Sequence, residues 1–143
     1  MTSYPFRPYL AEPKESGCYG VIQQGDNPIV GYADGSPFSN FEDVVIFGDH
    51  TVSLYKPENP FFIATDGIRI LGIKGIEGAF FFSLLERYVP KPQGYKRHFT
   101  MLADTSIYLA TNTEHIQIGA FFRTVETLIT LHQRTQLNTC VLY

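Results

Sequence analysis

The sequence has 143 residues, which is enough for one domain with a hydrophobic core. Its content of 44% hydrophobic and 17% charged residues excludes an intrinsically disordered chain. A net charge of −3 argues against a protein that coats polyanions over its whole surface.

The charges are unevenly distributed along the chain. Residues 19–55 contain five acids and neither Lys nor Arg, whereas residues 87–103 contain four cations, His98 and no acid. Positive charge that is concentrated in one segment predicts a local phosphate-binding surface.

Residues 1–18 are rich in proline and are predicted to form an irregular arm. Short apolar segments follow, and turn residues such as GDN, ADGSP, GDH, KPENP and TDG separate them. The segments CYGVIQQ, PIVGYA, DVVIFG, TVSLYK, PFFIAT and GIRILGI are predicted strands. Their spacing is typical of a compact, twisted and mostly antiparallel sheet.

Two helices are predicted after these strands. Residues 76–88, IEGAFFFSLLERY, should form a short helix that packs on the sheet. Its apolar stripe consists of Phe80, Phe81, Leu84, Leu85 and Tyr88. SIYLA at 106–110 is predicted to be a last strand. Helix 112–137 then carries the stripe Ile118, Phe121, Phe122, Val125, Leu128, Ile129 and His132, which packs on the core or on another helix.

These elements predict an α+β fold, in which a domain at 19–111 is followed by the helix at 112–137 and a tail at 138–143.

The two cysteines, Cys18 and Cys140, have no metal-binding spacing. The N-terminus lacks the apolar region of a signal peptide, and no apolar run reaches membrane-spanning length. We therefore expect a cytoplasmic protein without a membrane partner.

One arrangement suggests catalysis. Asp49, His50, Asp66 and His98 come from the segments FGDHT, ATDG and KRH, and they would form an acid/base or metal cluster if three turns converged. Their spacing matches no specific metal motif, and Asp-Gly and Gly-Asp pairs are the commonest turn formers. Turn structure is therefore the favoured interpretation, with a small metal-dependent nuclease or hydrolase as the alternative.

The segment GYKRHFT at 94–100 suggests binding instead. Arginine matches phosphate oxygens or the O6/N7 edge of guanine, and lysine supplies a point charge. Phe99 is predicted to anchor the segment in the core, whereas Tyr95 could either stack on a ligand or anchor it. A solvated cationic loop is the competing interpretation.

The ordered combination of FGDHT, ATDG, GYKRH and IGAFF…LHQR resembles the target recognition domains of type I restriction-modification specificity subunits. The resemblance covers residues 19–137, and EHIQIGAFFRTVETLITLHQRTQL is similar to the start of the family's long conserved helix. It implies recognition of double-stranded DNA without catalysis, cofactor or metal. The implied partners are a modification (methyltransferase) subunit and a restriction subunit. A homodimer through the C-terminal helix is also expected.

The sequence departs from the family pattern in two ways. It holds one recognition unit where a full specificity subunit holds two, and its helix ends in NTCVLY instead of a long heptad run. A half-subunit that dimerises, a truncated product, an excised domain and a module that only docks the methyltransferase all remain open as interpretations.

The predicted DNA-binding residues centre on the basic segment 91–98. Lys96 and Arg97 are the leading candidates for contacts with phosphates or guanine. The other candidates are Tyr95, His98, Lys91, His50, Thr51, Tyr32, Ser36 and Lys74.

Overall fold

The computed structural model describes residues 1–94 and 96–141 and has mixed α and β structure. The strands are β1 (Thr2–Tyr4), β2 (Tyr19–Ile22), β3 (Ile29–Ala33), β4 (Val44–Gly48), β5 (Leu54–Tyr55), β6 (Phe61–Ile63) and β7 (Ile68–Gly72). The helices are α1 (Gly78–Tyr88), α2 (Phe99–Ala103) and α3 (Asn112–Val141). The predicted α+β class, with a short packed helix and a C-terminal helix, is confirmed.

The first sheet has four strands in the order β1-β7-β4-β5, and every pairing is antiparallel. β4 and β7 pair along their whole lengths, from Val44 opposite Gly72 to Gly48 opposite Ile68. Their sequences, VVIFG and IRILG, are almost continuously apolar, as is typical of strands that are covered on both faces.

The second sheet has three strands in the order β3-β2-β6. β2 is antiparallel to β3 but parallel to β6, with Gly20 opposite Phe61 and Ile22 opposite Ile63. The strands thus form two sheets with one parallel pair, where the sequence predicted one mostly antiparallel sheet. Strand periodicity reports which residues alternate, but it does not report which strand is the neighbour.

Alternate residues of β4 enter two different core clusters. Val44 and Ile46 pack with residues of β2, β6 and β7, whereas Val45 and Phe47 pack with residues of the helices. Because successive side chains of a strand point to opposite faces, β4 lies between the three-stranded sheet on one side and α1 and α2 on the other.

The stripe predicted for α1 is partly correct. Phe81 and Leu85 are fully buried against β4 and β7, while Phe80 is 40% exposed. The four-residue spacing was right, but amphipathic periodicity alone did not define which edge of the stripe faces the core.

Three local predictions differ from the structure, and one element was not predicted at all. The arm at 1–18 contributes β1, which pairs with β7, and Ala11 N–H donates to Ile63 O at 3.0 Å. SIYLA at 106–110 is not a strand, and α2 was not predicted. α3 continues to Val141, beyond the predicted end at 137. In the arm, backbone pairing with a partner distant in sequence overrides local composition.

The chain divides into two compact units, Met1–Ser106 and Ile107–Tyr143. In the second unit, Ile118, Phe121, Leu128 and Ile129 of the predicted stripe are exposed, and Val125 is half-buried. His132 is also exposed, and the side chain of Phe122 lies outside the described residues. None of the described helices combines the length and apolarity needed to cross a membrane.

Neighbouring phenylalanines of α1 test this core. Replacing Phe81 with Ala should lower the free energy of unfolding by about 3–5 kcal/mol, because it empties a fully buried site. Phe80→Ala, at an exposed position one residue away, should cost much less. Urea denaturation of both variants measures the difference, and equal losses would show that the α1 register is wrong.

Candidate nucleic-acid interface

Three turns meet at one end of the two sheets, and we call them the turn assembly: residues 23–28, 49–53 and 64–67. β2, β4 and β6 end there, and β3, β5 and β7 begin there, as the pairings of Ile22 with Ile63 and of Gly48 with Ile68 require. The turn after β2 is joined to the turn after β4 by two hydrogen bonds. His50 N–H donates to Gln24 Oε1 at 3.0 Å, and Gly25 N–H donates to Ser53 Oγ at 2.8 Å.

The turn after β6 joins the same assembly through glycine. Asp49 N–H donates to the carbonyl of Gly67 at 2.9 Å. A Cβ at Gly67 would lie 2.6 Å from Gln24 Nε2 and 3.2 Å from His50 Cδ2, so an added side chain would displace the end of the Gln24 side chain and press on the His50 ring. Asp66 and Gly67 form a turn, as predicted.

His98 fastens the basic segment to this assembly. Its backbone N–H donates to Asp49 O at 2.9 Å, and its ring Nδ1 lies 3.0 Å from the same oxygen. Gln93 N–H donates to Nε2 at 3.0 Å, so Nε2 is the acceptor. Nδ1 therefore carries the hydrogen and donates to Asp49 O, in the neutral tautomer.

The prediction that His98 contacts DNA needs correction at this point. Its side chain is fully buried and both ring nitrogens are engaged, so it positions the basic loop from beneath. The sequence could not separate this role from a surface role, since both place a histidine beside cations.

The carboxylate of Asp49 is buried beneath the loop and holds several groups together. Oδ1 accepts a hydrogen bond from Phe99 N–H at 2.8 Å, while Oδ2 lies 3.4 Å from Arg69 Nη2 and 4.0 Å from Arg97 Nη1. Arg69 Cζ also lies 5.2 Å from the centroid of the Phe99 ring, in cation–π geometry. Phe99 packs against the core beside α1, so it anchors the segment as predicted.

Arg97 is the exposed end of this network. Its side chain is 56% exposed, and its Nη2 lies 4.0 Å from Asp66 Oδ2, which is itself 74% exposed. Both ion pairs of Arg97 are long, but only the pair with Asp66 is exposed on both sides, so that pair stabilises the fold weakly, by about 0–1 kcal/mol. The segment lacks acids in sequence, but the fold brings Asp49 and Asp66 to it.

The other predicted contact residues fall into two groups. Lys91 and Lys96 are exposed in the basic segment, Thr51 is exposed in the turn after β4, and His50 is half-buried in the same turn. Three others lie towards the opposite end of the strands: Lys74 follows the Gly72 end of β7, and Tyr32 and Ser36 are at the Ala33 end of β3. Tyr95 lies outside the described residues.

The Asp/His cluster is brought together but not in a metal-binding arrangement. Among the described residues, no three His, Cys, Asp or Glu side chains converge in a way that could hold a metal ion. Asp49 faces two guanidinium groups and a backbone N–H, and the His98 nitrogens are occupied. These contacts are those of a structural network.

Sequence reasoning missed several members of the assembly, including Arg69 and Gln24. Arg69 is the single charged residue in the otherwise apolar strand IRILG, and that isolation was a usable signal of a buried ion pair. Gln24 carries no such signal, because its role depends on which turn lies beside it.

Comparisons with known proteins identify no relative. No protein-family model matches the chain, and neither a curated protein nor a solved structure matches it.

Asp49 provides a direct test of the network. Asp49→Asn should lower the free energy of unfolding by about 2–4 kcal/mol, because it removes the buried partner of Arg69 and places an amide at the Phe99 N–H. Asp66→Asn is the matched control and should change stability by less than about 0.5 kcal/mol, because its pair is exposed. Chemical denaturation measures both, and a neutral Asp49→Asn would contradict the proposed network.

Proposed function

We propose that this chain is a non-catalytic domain that binds double-stranded DNA in a sequence-specific way. More particularly, we propose that it is a target recognition domain of a type I restriction-modification specificity subunit, acting in the cytoplasm. The first statement rests on the turn assembly, and the second rests on the sequence resemblance.

The observation that carries the proposal is the convergence of three motifs. FGDHT, ATDG and GYKRH are separate in sequence, yet Asp49, Gly67 and His98 are joined by direct hydrogen bonds. The resemblance rests on the order of these motifs along the chain. The hydrogen bonds between them support a single site that is built from all three. The assembly presents Lys96, Arg97 and Thr51 at the surface from a fixed base.

The geometry suggests how such a surface would bind. Lys96 is exposed and could neutralise a phosphate, and Arg97 could exchange its long ion pairs with Asp49 and Asp66 for a phosphate or a guanine edge. Because His98 and Phe99 already anchor the C-terminal end of the basic segment, less conformational entropy would be lost there on binding. Thr51 and His50 would approach base edges from the adjoining turn.

The partners in this proposal are the methyltransferase and restriction subunits. α3 supports a docking or dimerisation role, because Phe121, Leu128 and Ile129 are more than half exposed along its length. Exposed apolar residues on a 30-residue helix are suited to helix–helix pairing.

The basic loop predicts how DNA binding responds to mutation and salt. Lys96→Ala and Arg97→Ala should each weaken binding, and each should lower the slope of log affinity against log salt by about 1 if it removes one phosphate contact. Lys74→Ala is the matched control: Lys74 was among the candidate contacts, but it is an exposed lysine at the other end of β7, so its loss should leave the affinity unchanged. Fluorescence anisotropy over a salt series measures these quantities.

Selection from a randomised duplex library, with the methyltransferase subunit added, then tests sequence specificity. An enriched motif that is lost in Arg97→Ala supports the proposal. If Lys96→Ala and Arg97→Ala keep the affinity and the salt slope of the unmodified chain, as Lys74→Ala should, the loop does not contact DNA. Cleavage of DNA by the chain alone with Mg²⁺ or Mn²⁺ would favour the nuclease alternative. Binding of the methyltransferase without DNA recognition would favour the docking module.

The exposed helix residues predict self-association. The chain should dimerise at high concentration. Leu128 is exposed in the single chain and would be buried in the dimer, so Leu128→Glu should shift the equilibrium towards monomer by placing a charge in that contact. Thr130→Glu changes an exposed polar residue of the same helix and should have less effect. Sedimentation velocity measures the distribution, and a strict monomer at every concentration would contradict the dimer.

A further inference from the structure

The two adjacent cations of the basic segment lie in different electrostatic surroundings. Lys96 is exposed, and no acid among the residues that the structure describes forms an ion pair with it. Arg97 faces two carboxylates: its Nη1 is 4.0 Å from Asp49 Oδ2, and its Nη2 is 4.0 Å from Asp66 Oδ2. A phosphate that approaches this segment therefore meets one cation without a counter-charge and one that already faces negative charge.

The two carboxylates differ in what compensates them. Asp49 is buried, its Oδ2 lies 3.4 Å from Arg69 Nη2, and its Oδ1 accepts a hydrogen bond from the Phe99 N–H. Asp66 is largely exposed, and within the described part of the chain Arg97 is the cation at ion-pair distance from it. Asp49 and Arg69 thus form a buried pair, whereas Asp66 and Arg97 form an exposed one. Two guanidinium groups and two carboxylates leave this cluster without net charge.

This arrangement disfavours a phosphate at Arg97. A phosphate oxygen at hydrogen-bond distance from Arg97 Nη2, about 3 Å, would lie within about 7 Å of Asp66 Oδ2, which is shorter than the screening length of about 8 Å at physiological salt. Repulsion from Asp66 would therefore offset part of the attraction to Arg97. A guanine edge avoids most of this cost, because its O6 and N7 accept hydrogen bonds without carrying a full charge.

We propose that Asp66 is a specificity-determining residue, which directs the Arg97 fork to the O6/N7 edge of a guanine and leaves phosphate binding to Lys96. This assignment rests on the proposed function, and it gives the two adjacent cations different tasks. Asp66 acts through Arg97, by its charge and by holding the guanidinium, and touches neither base nor phosphate. Arginine suits the task because its planar fork donates two parallel hydrogen bonds, whereas lysine is a point charge.

Modified guanine tests the base contact. The probe is the duplex that selection from the randomised library enriches, with each guanine in turn replaced by 7-deazaguanine, which keeps Watson–Crick pairing but lacks the N7 acceptor. At one guanine the replacement should weaken binding of the unmodified chain by about fivefold or more, and it should have little effect on Arg97→Ala. Arg97→Lys should also lose the N7 dependence, because it keeps the charge without the fork. Lys96→Ala should bind more weakly but retain that dependence.

Salt dependence tests the role of Asp66. On a duplex without the enriched motif, Asp66→Asn should tighten binding and steepen the slope of log affinity against log salt by about 1, because Arg97 can then take a phosphate. Discrimination between the motif and other DNA should fall. Asp26→Asn is the matched control: Asp26 is an exposed acid of the turn assembly that does not pair with Arg97, so its loss should steepen the slope much less. Thermal unfolding of both variants checks that the fold is retained.

The outcomes distinguish this role of Asp66 from DNA recognition itself. A chain that enriches no motif contradicts the proposed function, and the role of Asp66 with it. An enriched motif whose binding depends on no guanine N7 overturns the role of Asp66 alone. Equal slopes for Asp66→Asn and Asp26→Asn do the same. A new base preference in Asp66→Asn without a steeper slope also overturns it, since Asp66 would then contact a base directly.

Discussion

The buried aspartate at the end of β4 is the residue on which the candidate site depends. Asp49 gives its backbone N–H to Gly67, its carbonyl to His98 and its carboxylate to Phe99, Arg69 and Arg97. A desolvated carboxylate is costly unless hydrogen bonds and positive charge compensate it. To meet these requirements, the turn at Gly67, Arg69 of β7 and the basic segment all contact Asp49, while the Arg97 side chain stays at the surface.

β4 provides the rigid support for that point. It is buried along its whole length, and it separates the core between the sheets from the core beneath α1 and α2. A strand fixed on both faces cannot shift register without exposing apolar side chains. The position of Asp49, one residue after β4, is therefore set by packing of the hydrophobic core.

The sequence determined the local elements and the residues that would be polar or buried. Six strands, α1 and most of α3 were predictable from periodicity and turn residues, and the anchoring of Phe99 followed from its apolar character. Only the tertiary structure decided that β2 lies parallel to β6, that His98 is buried, and that Asp49 and Asp66 face Arg97. Periodicity is a local property, whereas strand order and charge pairing depend on contacts between residues far apart in sequence.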